Sequence, residues 1–478
     1  MRGRTLAVTI AAGTALAFAG AGSAIALTTP PSTTVTIGTT AGAALPSRYL
    51  GFSFPLNGLA TPTITTGNLP QLMRTLGPGV MRWGGNVENA TFWTSTGETA
   101  PDWAEFTFTP EHLQRLKTLA DLTGWKAIIG VDLLHKDPAR AADEAKFAKQ
   151  ILGSRLLAIE IGNEPNYYAN YTPAQLYADF QTYRKAMVKA APGTPVTGPS
   201  VGRVPVAADW LKDFAGREKG HVDLAALATH YYPACGRSNP EMITIPALLS
   251  TDYRTLVNDR SSLLGSLAKS LKVPGLLTES NSVSCEGRQG VSDTFGAALW
   301  GVDNQLLVAQ NGNSGMFLNS DVSGVCGSPW YTPFCALTPQ DDAVGQLHAQ
   351  PVYYAQLLLR ELGTGSFLPV TNNDLTNLRV YAVRNGTRLR LVIVNVTDPA
   401  STKPLTTTLK LPASYHHAYF YRLSASSLDA QSGITLGGHV VGRSGTYAGP
   451  DHTRLVVNGK TLTVSVPAGT ATVISLLP

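Results

Sequence analysis

The sequence predicts a (β/α)8 TIM barrel followed by an all-β sandwich, and three observations carry that expectation. Eight short apolar runs recur between residues 49 and 318, separated by segments long enough to hold helices. Several of those segments open with helix-start signals, and beyond Gly363-Thr-Gly365 the pattern changes to alternating strands joined by Asn-Gly turns. Strand alternating with helix in this way is the mark of parallel strands closed into a barrel. A nucleotide-binding open sheet, the alternative, would call for a Gly-x-Gly-x-x-Gly turn after an early strand, and none is found there.

Taken in order, the chain of 478 residues, 44% of them apolar, is long enough for two or three globular cores. Residues 1–26 carry Arg2 and Arg4, an Ala/Leu/Val/Phe-rich stretch and then Ala24-Ile25-Ala26, the small-x-small form of a cleavage site. They read as a signal peptide, so the protein is expected to be secreted. The apolar stretch is rich in Ala, Gly and Thr and lacks stop-transfer charges, so no stable membrane insertion is expected. Residues 27–48 form a lead and a short strand, Val35-Thr-Ile37, that could join the C-terminal sandwich.

The barrel is assigned to 49–355. Its strands are read at 49–54, 80–83, 127–131, 157–161, 195–198, 224–230, 275–278 and 315–318. Thr109-Pro110-Glu111 and Thr172-Pro173 each supply an N-cap and a proline at the first helical position, ahead of apolar residues recurring on one face. The sandwich is assigned to 356–478, with one hairpin across Asn385-Gly386 and another expected across Asn458-Gly459, at 456–464.

A formal charge of +5 is too slight a bias to imply nucleic acid. Cys235, Cys285, Cys326 and Cys335 make an even count in a chain that reads as exported, so disulfides are the default. Cys326 and Cys335 would staple one loop, and Cys235 and Cys285 would tie the loops after strands six and seven. No Cys-x-x-Cys or His-x-x-x-His spacing is present, so neither a metal nor any other cofactor is expected.

The chemistry is expected from two carboxylates. Leu156-Leu-Ala-Ile-Glu-Ile-Gly-Asn-Glu-Pro165 reads as a buried strand that delivers Glu164 to its carboxyl end, and Pro274-Gly-Leu-Leu-Thr-Glu-Ser280 places Glu279 in a similar setting. The carboxyl ends of barrel strands carry the chemistry of that fold. Cleaving a glycosidic bond needs one carboxyl to protonate the leaving oxygen and, in the retaining case, another about 5–5.5 Å away to attack the sugar carbon. Glu160 lies one pleat deeper and is expected to be buried and paired with a barrel arginine such as Arg82.

Gly-Asn-Glu-Pro at 162–165, Arg82-Trp-Gly-Gly-Asn86, His230-Tyr-Tyr-Pro233, Thr278-Glu-Ser-Asn281 and Gly290-Val-Ser-Asp-Thr-Phe295 together resemble glycoside hydrolase family 79, which contains β-glucuronidases and heparanase-like enzymes. The resemblance implies a retaining, double-displacement hydrolase with Glu164 as acid/base and Glu279 as nucleophile. It further implies that Asn163 bonds the sugar 2-hydroxyl, that Tyr231 touches the nucleophile, and that Arg82 and Asn86 stand at the mouth floor. The implied partner is a glucuronide-containing carbohydrate.

Three departures bear on the substrate. Pro55 stands where the family often has glutamate, Asn319 where it often has histidine, and Val283-Ser-Cys-Glu-Gly287 where a tyrosine and a glycine pair meet the uronic acid carboxylate. Turned inward, Glu286 would repel that carboxylate. We expect it to point outward, stapled by Cys285, leaving loop amides around Gly287 for the carboxylate and Tyr331 in reach of the sugar. The rival readings are a barrel glycosidase acting on neutral β-glycosides and a carbohydrate-binding protein without turnover.

Overall fold

The computed structural model describes residues 32–202, 207–221, 223–400 and 404–478; the segment read as a signal peptide lies outside them. Eight parallel strands, Leu50–Pro55, Val80–Gly84, Lys126–Val131, Leu156–Ile161, Val196–Val201, Leu224–Tyr231, Gly275–Ser280 and Gly315–Asn319, close into a barrel in chain order. Strand eight pairs with strand one through Met316↔Leu50 to Asn319↔Ser53, which completes the ring.

The barrel floor is apolar. Val80, Ile128, Ala158, Ala226, Leu276 and Phe317 form their own buried cluster. Phe317 fits because a Cβ on Gly51 or Gly315 would fall 2.0 or 2.7 Å from its ring, so both neighbours must be glycine. Side chains alternate along a strand. The residues two steps beyond Val80 and Ala158 are therefore Arg82 and Glu160, and both are fully buried.

Helices cover the barrel. Thr109 caps Pro110–Thr123 in a capping box with His112, and Gly124 at φ 76° ends it; Leu113, Leu116, Leu119 and Ala120 face inward. Phe295–Gln310 is nearly all apolar around its circumference, and it is buried on all sides, as such a composition requires. The last barrel helix, Tyr353–Leu362, packs its buried face into the barrel core, and the Tyr353 hydroxyl donates to the Leu72 carbonyl at 2.8 Å. This helix spans the expected boundary between residues 355 and 356.

The remaining strands make two sheets. A four-stranded sheet has Ser32–Ile37 between Val370–Asn372 and Leu405–Lys410, with Thr461–Val466 at its edge. The larger sheet is built on Leu378–Asn385, Arg388–Asn395, Thr470–Leu477 and His417–Ser424. Alternation divides its two faces. Leu389, Leu391 and Ile393 fill the core between the sheets with Val35 and Ile37, while Val392, Val394 and Val473 join the core shared with the barrel helices.

One expected hairpin takes a different form. Asn458 and Thr461 exchange two backbone hydrogen bonds of 3.0 Å, closing the Asn-Gly turn. The strands on either side part at once, Thr453–Leu455 to the larger sheet and Thr461–Val466 to the smaller. Local turn chemistry set the turn, and burial of Leu462 and Val464 in the inter-sheet core drew the second strand away.

Disulfides join Cys235 to Cys285 and Cys326 to Cys335, with Cα atoms 5.2 and 5.0 Å apart. Among the described residues no helix is long and apolar enough to cross a membrane.

Candidate active site

Strand four ends at Ile161, and the chain turns through Gly162 at φ 82°, where a Cβ would fall 2.7 Å from the Leu133 side chain. Glu164 follows with φ 47°, a left-handed conformation that costs a side-chain-bearing residue about 1–2 kcal/mol. The surroundings hold it there: its N–H donates to the Ser200 carbonyl at 3.0 Å and its carbonyl accepts from Tyr167 at 2.9 Å. Its carboxylate lies 3.2 Å from His230 Nδ1. Gly202 opposite leaves the space, since a Cβ there would fall 2.8 Å from the Glu164 carboxyl.

Glu279 leaves strand seven, where it is in register with His230. Its Oε2 accepts from Arg82 at 2.9 Å, and its Oε1 accepts from the Tyr232 hydroxyl at 2.8 Å and from Asn319 Nδ2 at 3.2 Å. Glu164, His230 and Glu279 each bring one donor atom within 4.8 Å of the others. That is also the geometry of a cation site. The Arg82 guanidinium already occupies one Glu279 oxygen, and a fixed positive charge there opposes a metal ion.

Arg82 organises the polar layer above the apolar floor. Its Nε pairs with Glu160 at 2.6 Å, one terminal nitrogen reaches Ser53 Oγ at 3.2 Å as well as Glu279, and the other donates to Asn163 Oδ1 at 2.8 Å. Burial disfavours the cation, but Glu160, Glu279 and Glu88 more than offset it and hold Arg82 above its ordinary value. Burial likewise opposes ionisation of Glu160, yet Arg82 draws its carboxyl below the usual range. Asn163 passes the constraint on, donating through Nδ2 to Asn86 Oδ1 at 3.0 Å.

Tyr231 is elsewhere. It lines a small pocket on the helix side of the barrel with Leu211, Arg260 and Leu263. The tyrosine on Glu279 is Tyr232, because side chains alternate on strand six and His230 and Tyr232 share the face that Tyr231 turns away from. Burial, then the Glu279 charge, pushes the Tyr232 phenol well up, so it serves as a hydrogen-bond donor. Alternation pairs Tyr232 with His230, but which of the two faces meets the mouth is set by how strand six packs.

Tyr331 reaches the same cluster: its hydroxyl accepts from Asn319 Nδ2 at 3.1 Å, and its ring centroid is 6.4 Å from that of Tyr232. Asn281 fixes both partners, donating to the carbonyls of Asn319 and Tyr331 at 2.9 and 3.0 Å. Gly287, at φ 80°, packs against Tyr331, where a Cβ would fall 3.2 Å from the ring.

Glu286 points outward. Its side chain is 54% exposed, forms an ion pair with Arg237 and accepts from Ser328 Oγ at 2.7 Å. The loop amides expected to be free for a carboxylate are in part already bonded. The N–H groups of Ser284 and Gly287 donate to the carbonyls of Ala234 and Ser284, and those of Ser282, Arg288 and Gly290 to the side chains of Asn281, Ser292 and Asp293. Left-handed conformations at Cys285, Glu286 and Gly287 fold the loop on itself and consume these donors.

Residues 380–473 match the glycosyl hydrolase family 79 C-terminal beta domain. A β-glucuronidase of Aspergillus niger is 26% identical over 310 residues, covering 58% of this chain and 54% of that protein. A β-glucuronidase of Neurospora crassa is 28% identical over 199 residues, 34% of this chain and 35% of its own. The chain therefore spans about half or less of the length of these curated relatives. Among solved structures, a 4-O-α-L-rhamnosyl-β-D-glucuronidase from Fusarium oxysporum superposes with a TM-score of 0.75 at 18% identity, over 92% of this chain and 100% of that one. A family 51 arabinofuranosidase from Xanthomonas axonopodis gives 0.68 at 14% identity, over 93% and 99%. The resemblance to family 79 read from the motifs is borne out, and the structural likenesses show the same barrel-plus-sheet fold.

Proposed function

We propose that this chain, with its family 79 C-terminal β domain behind a glycosidase-type barrel, is a secreted retaining β-glycosidase that hydrolyses β-glucuronides. The observation that carries this reading is that one carboxyl oxygen of Glu164 and one of Glu279 lie within 4.8 Å of each other at the barrel mouth, which brings the two groups into the range of a retaining pair. Retaining enzymes hold their carboxyl groups about 5–5.5 Å apart, whereas inverting ones leave about 6.5–9.5 Å for a water.

In the first step the Glu279 carboxylate attacks the anomeric carbon while Glu164 gives its proton to the departing oxygen, leaving a glycosyl ester on Glu279. In the second, Glu164 takes a proton from water, the resulting nucleophile attacks the same carbon, and Glu279 leaves as carboxylate. Arg82, Tyr232 and Asn319 orient Glu279 for both steps. Asn163, held between Arg82 and Asn86, presents its amide toward a sugar hydroxyl. Pre-set donors of this kind act without reorganising during the reaction.

The glucuronide assignment is supported by the two β-glucuronidases related in sequence and by the outward Glu286, which places no anion against a uronic acid. The loop amides already committed favour the rival, a neutral β-glycoside. A panel of nitrophenyl glucuronide, xyloside, glucoside and galactoside separates the two. Proton NMR of the first-formed anomer tests retention, and Glu164→Gln and Glu279→Gln should each lower kcat by about a thousandfold or more. Release of the inverted anomer, or full activity of either variant, would overturn the mechanism.

A further inference from the structure

A second polar cavity opens at the carboxyl rim beside barrel strands one to three. It has a volume of about 220 Å³ and is lined by Trp103, Asp132, His135, Asp137, Arg140 and Glu144 among others. None of Arg82, Glu164 or Glu279 lines it. The two sites are separated by a thin wall: Gly130 borders the cavity, and a Cβ on Gly130 would fall 1.8 Å from Glu88, a near neighbour of Arg82.

We propose that this cavity is a sugar subsite that takes one neutral, hydroxyl-rich pyranose ring through the Trp103 face and the Glu144 carboxyl group. Three features carry the assignment. Trp103 is 36% exposed and is braced from one side by His135, with ring centroids 3.6 Å apart and planes at 11°. A flat indole held in place offers the apolar wall that the C–H face of a pyranose covers. Next, Glu144 is only 4% exposed, lines the cavity, and has one oxygen with no hydrogen-bond partner among the described residues. An unmet buried acceptor is costly, and a ligand hydroxyl satisfies it.

The third feature is charge. Asp132 and Asp137 line the cavity with Asp132 paired to His135 at 3.0 Å, burial and the nearby acids Asp132 and Asp143 push the Glu144 carboxyl well above its ordinary value, and Arg140 is already committed to Asp137 and Glu98 at 3.1 Å each and to the Trp93 carbonyl at 2.7 Å. An anionic sugar would find Arg140 and His135 already paired with Asp137 and Asp132, while a neutral one needs only the hydrogen-bonding groups of the lining. A divalent cation would need donors that converge. Among the described residues the compact donor group of that kind is Glu164, His230 and Glu279, in the other site. Insofar as the occupant is part of a hydrolysed glycan, the inference rests on the proposed glycosidase activity, and its substrates are then glycans that carry a neutral sugar near the cleaved bond.

Saturation-transfer NMR on the full chain with Glu279→Gln tests binding without turnover, using methyl β-xyloside and methyl β-galactoside as probes at millimolar concentration. The expected result is transfer to the neutral glycosides, weakened at least tenfold by Trp103→Ala and kept by Trp103→Tyr. A second reading needs no alanine variant: in protein labelled with 5-fluorotryptophan, the Trp103 fluorine resonance, assigned through Trp103→Tyr, should shift on adding methyl β-xyloside. Absence of transfer, transfer indifferent to Trp103→Ala, or an unmoved Trp103 resonance would overturn the subsite. Because binding is read directly, failure of nitrophenyl glucuronide hydrolysis leaves this result standing, and a negative binding result leaves the catalytic reading untouched.

Discussion

Arg82 and Glu279 meet at 2.9 Å across the barrel mouth, and the same guanidinium pairs with Glu160 at 2.6 Å one pleat deeper. A single side chain thus links the buried floor to the proposed nucleophile. Its planar fork is needed, because a lysine ammonium cannot reach Glu160, Glu279, Ser53 and Asn163 together.

Arg82→Lys is expected to lower kcat/KM for a nitrophenyl glycoside by about a hundredfold or more. It should also destabilise the fold by about 3–5 kcal/mol, since Glu160 would be left as a poorly paired buried charge. Adding Glu160→Gln should restore much of the melting temperature and little of the activity. Recovery of both together would show that Arg82 matters only for stability.

Tyr232 and Tyr231 are adjacent in sequence and face opposite ways. Tyr232→Phe removes the 2.8 Å hydrogen bond to Glu279 and should reduce kcat about tenfold to a hundredfold, whereas Tyr231→Phe should change it by less than about twofold. Steady-state kinetics of the two variants decide, and the reverse order would refute the placement.

Glu88 is fully buried between Gly84 and Gly130. Burial pushes its carboxyl well above the ordinary value, Arg82 opposes that, and Glu160, Asp132 and Glu144 add to it. The native state therefore keeps this proton to higher pH than the unfolded chain does. Its contribution to stability is complete below the ordinary carboxylate range and is lost as pH rises toward the raised value. Glu88→Gln should melt above the parent at neutral pH, by about 1–3 kcal/mol, with the difference vanishing below about pH 4. Melting curves across that range test it, and a pH-independent difference would contradict the assignment.

Glu286 is held outward by Arg237 and Ser328. Glu286→Gly is expected to leave glucuronide turnover within about twofold, since surface substitutions away from a site have small effects. A large gain in kcat/KM for the glucuronide would mean that the carboxylate reaches the sugar.

Ser32–Ile37 lies inside the smaller sheet rather than at its edge, with Val35 fully buried. Val35→Asp places an unpaired charge in the inter-sheet core and should destabilise the protein by about 3 kcal/mol or more. Denaturant melts would show a lowered midpoint, and an unchanged one would argue that this strand is dispensable.

What the chain determined locally was the periodicity of its elements and the residue types at their ends. Apolar runs of strand length, Thr-Pro helix starts and strand-terminal acids do not depend on distant partners. They made the barrel, the sandwich, both disulfides and the positions of Glu164 and Glu279 legible. The depth of Glu160 likewise pointed to Arg82. Tertiary structure decided which neighbours those residues acquired. Tyr232 rather than Tyr231 faces Glu279 because of the phase in which strand six enters the barrel, set by packing on both its faces. The strands around Asn458-Gly459 part because the inter-sheet core claims Leu462 while the turn itself is indifferent to where its arms go. The amides of Ser284, Gly287, Arg288 and Gly290 are spent because three successive left-handed residues, under the Cys235–Cys285 bridge, fold that loop on its own acceptors. Phase, competition for a core and loop closure each depend on contacts far apart in the chain, and no window of neighbouring residues contains them.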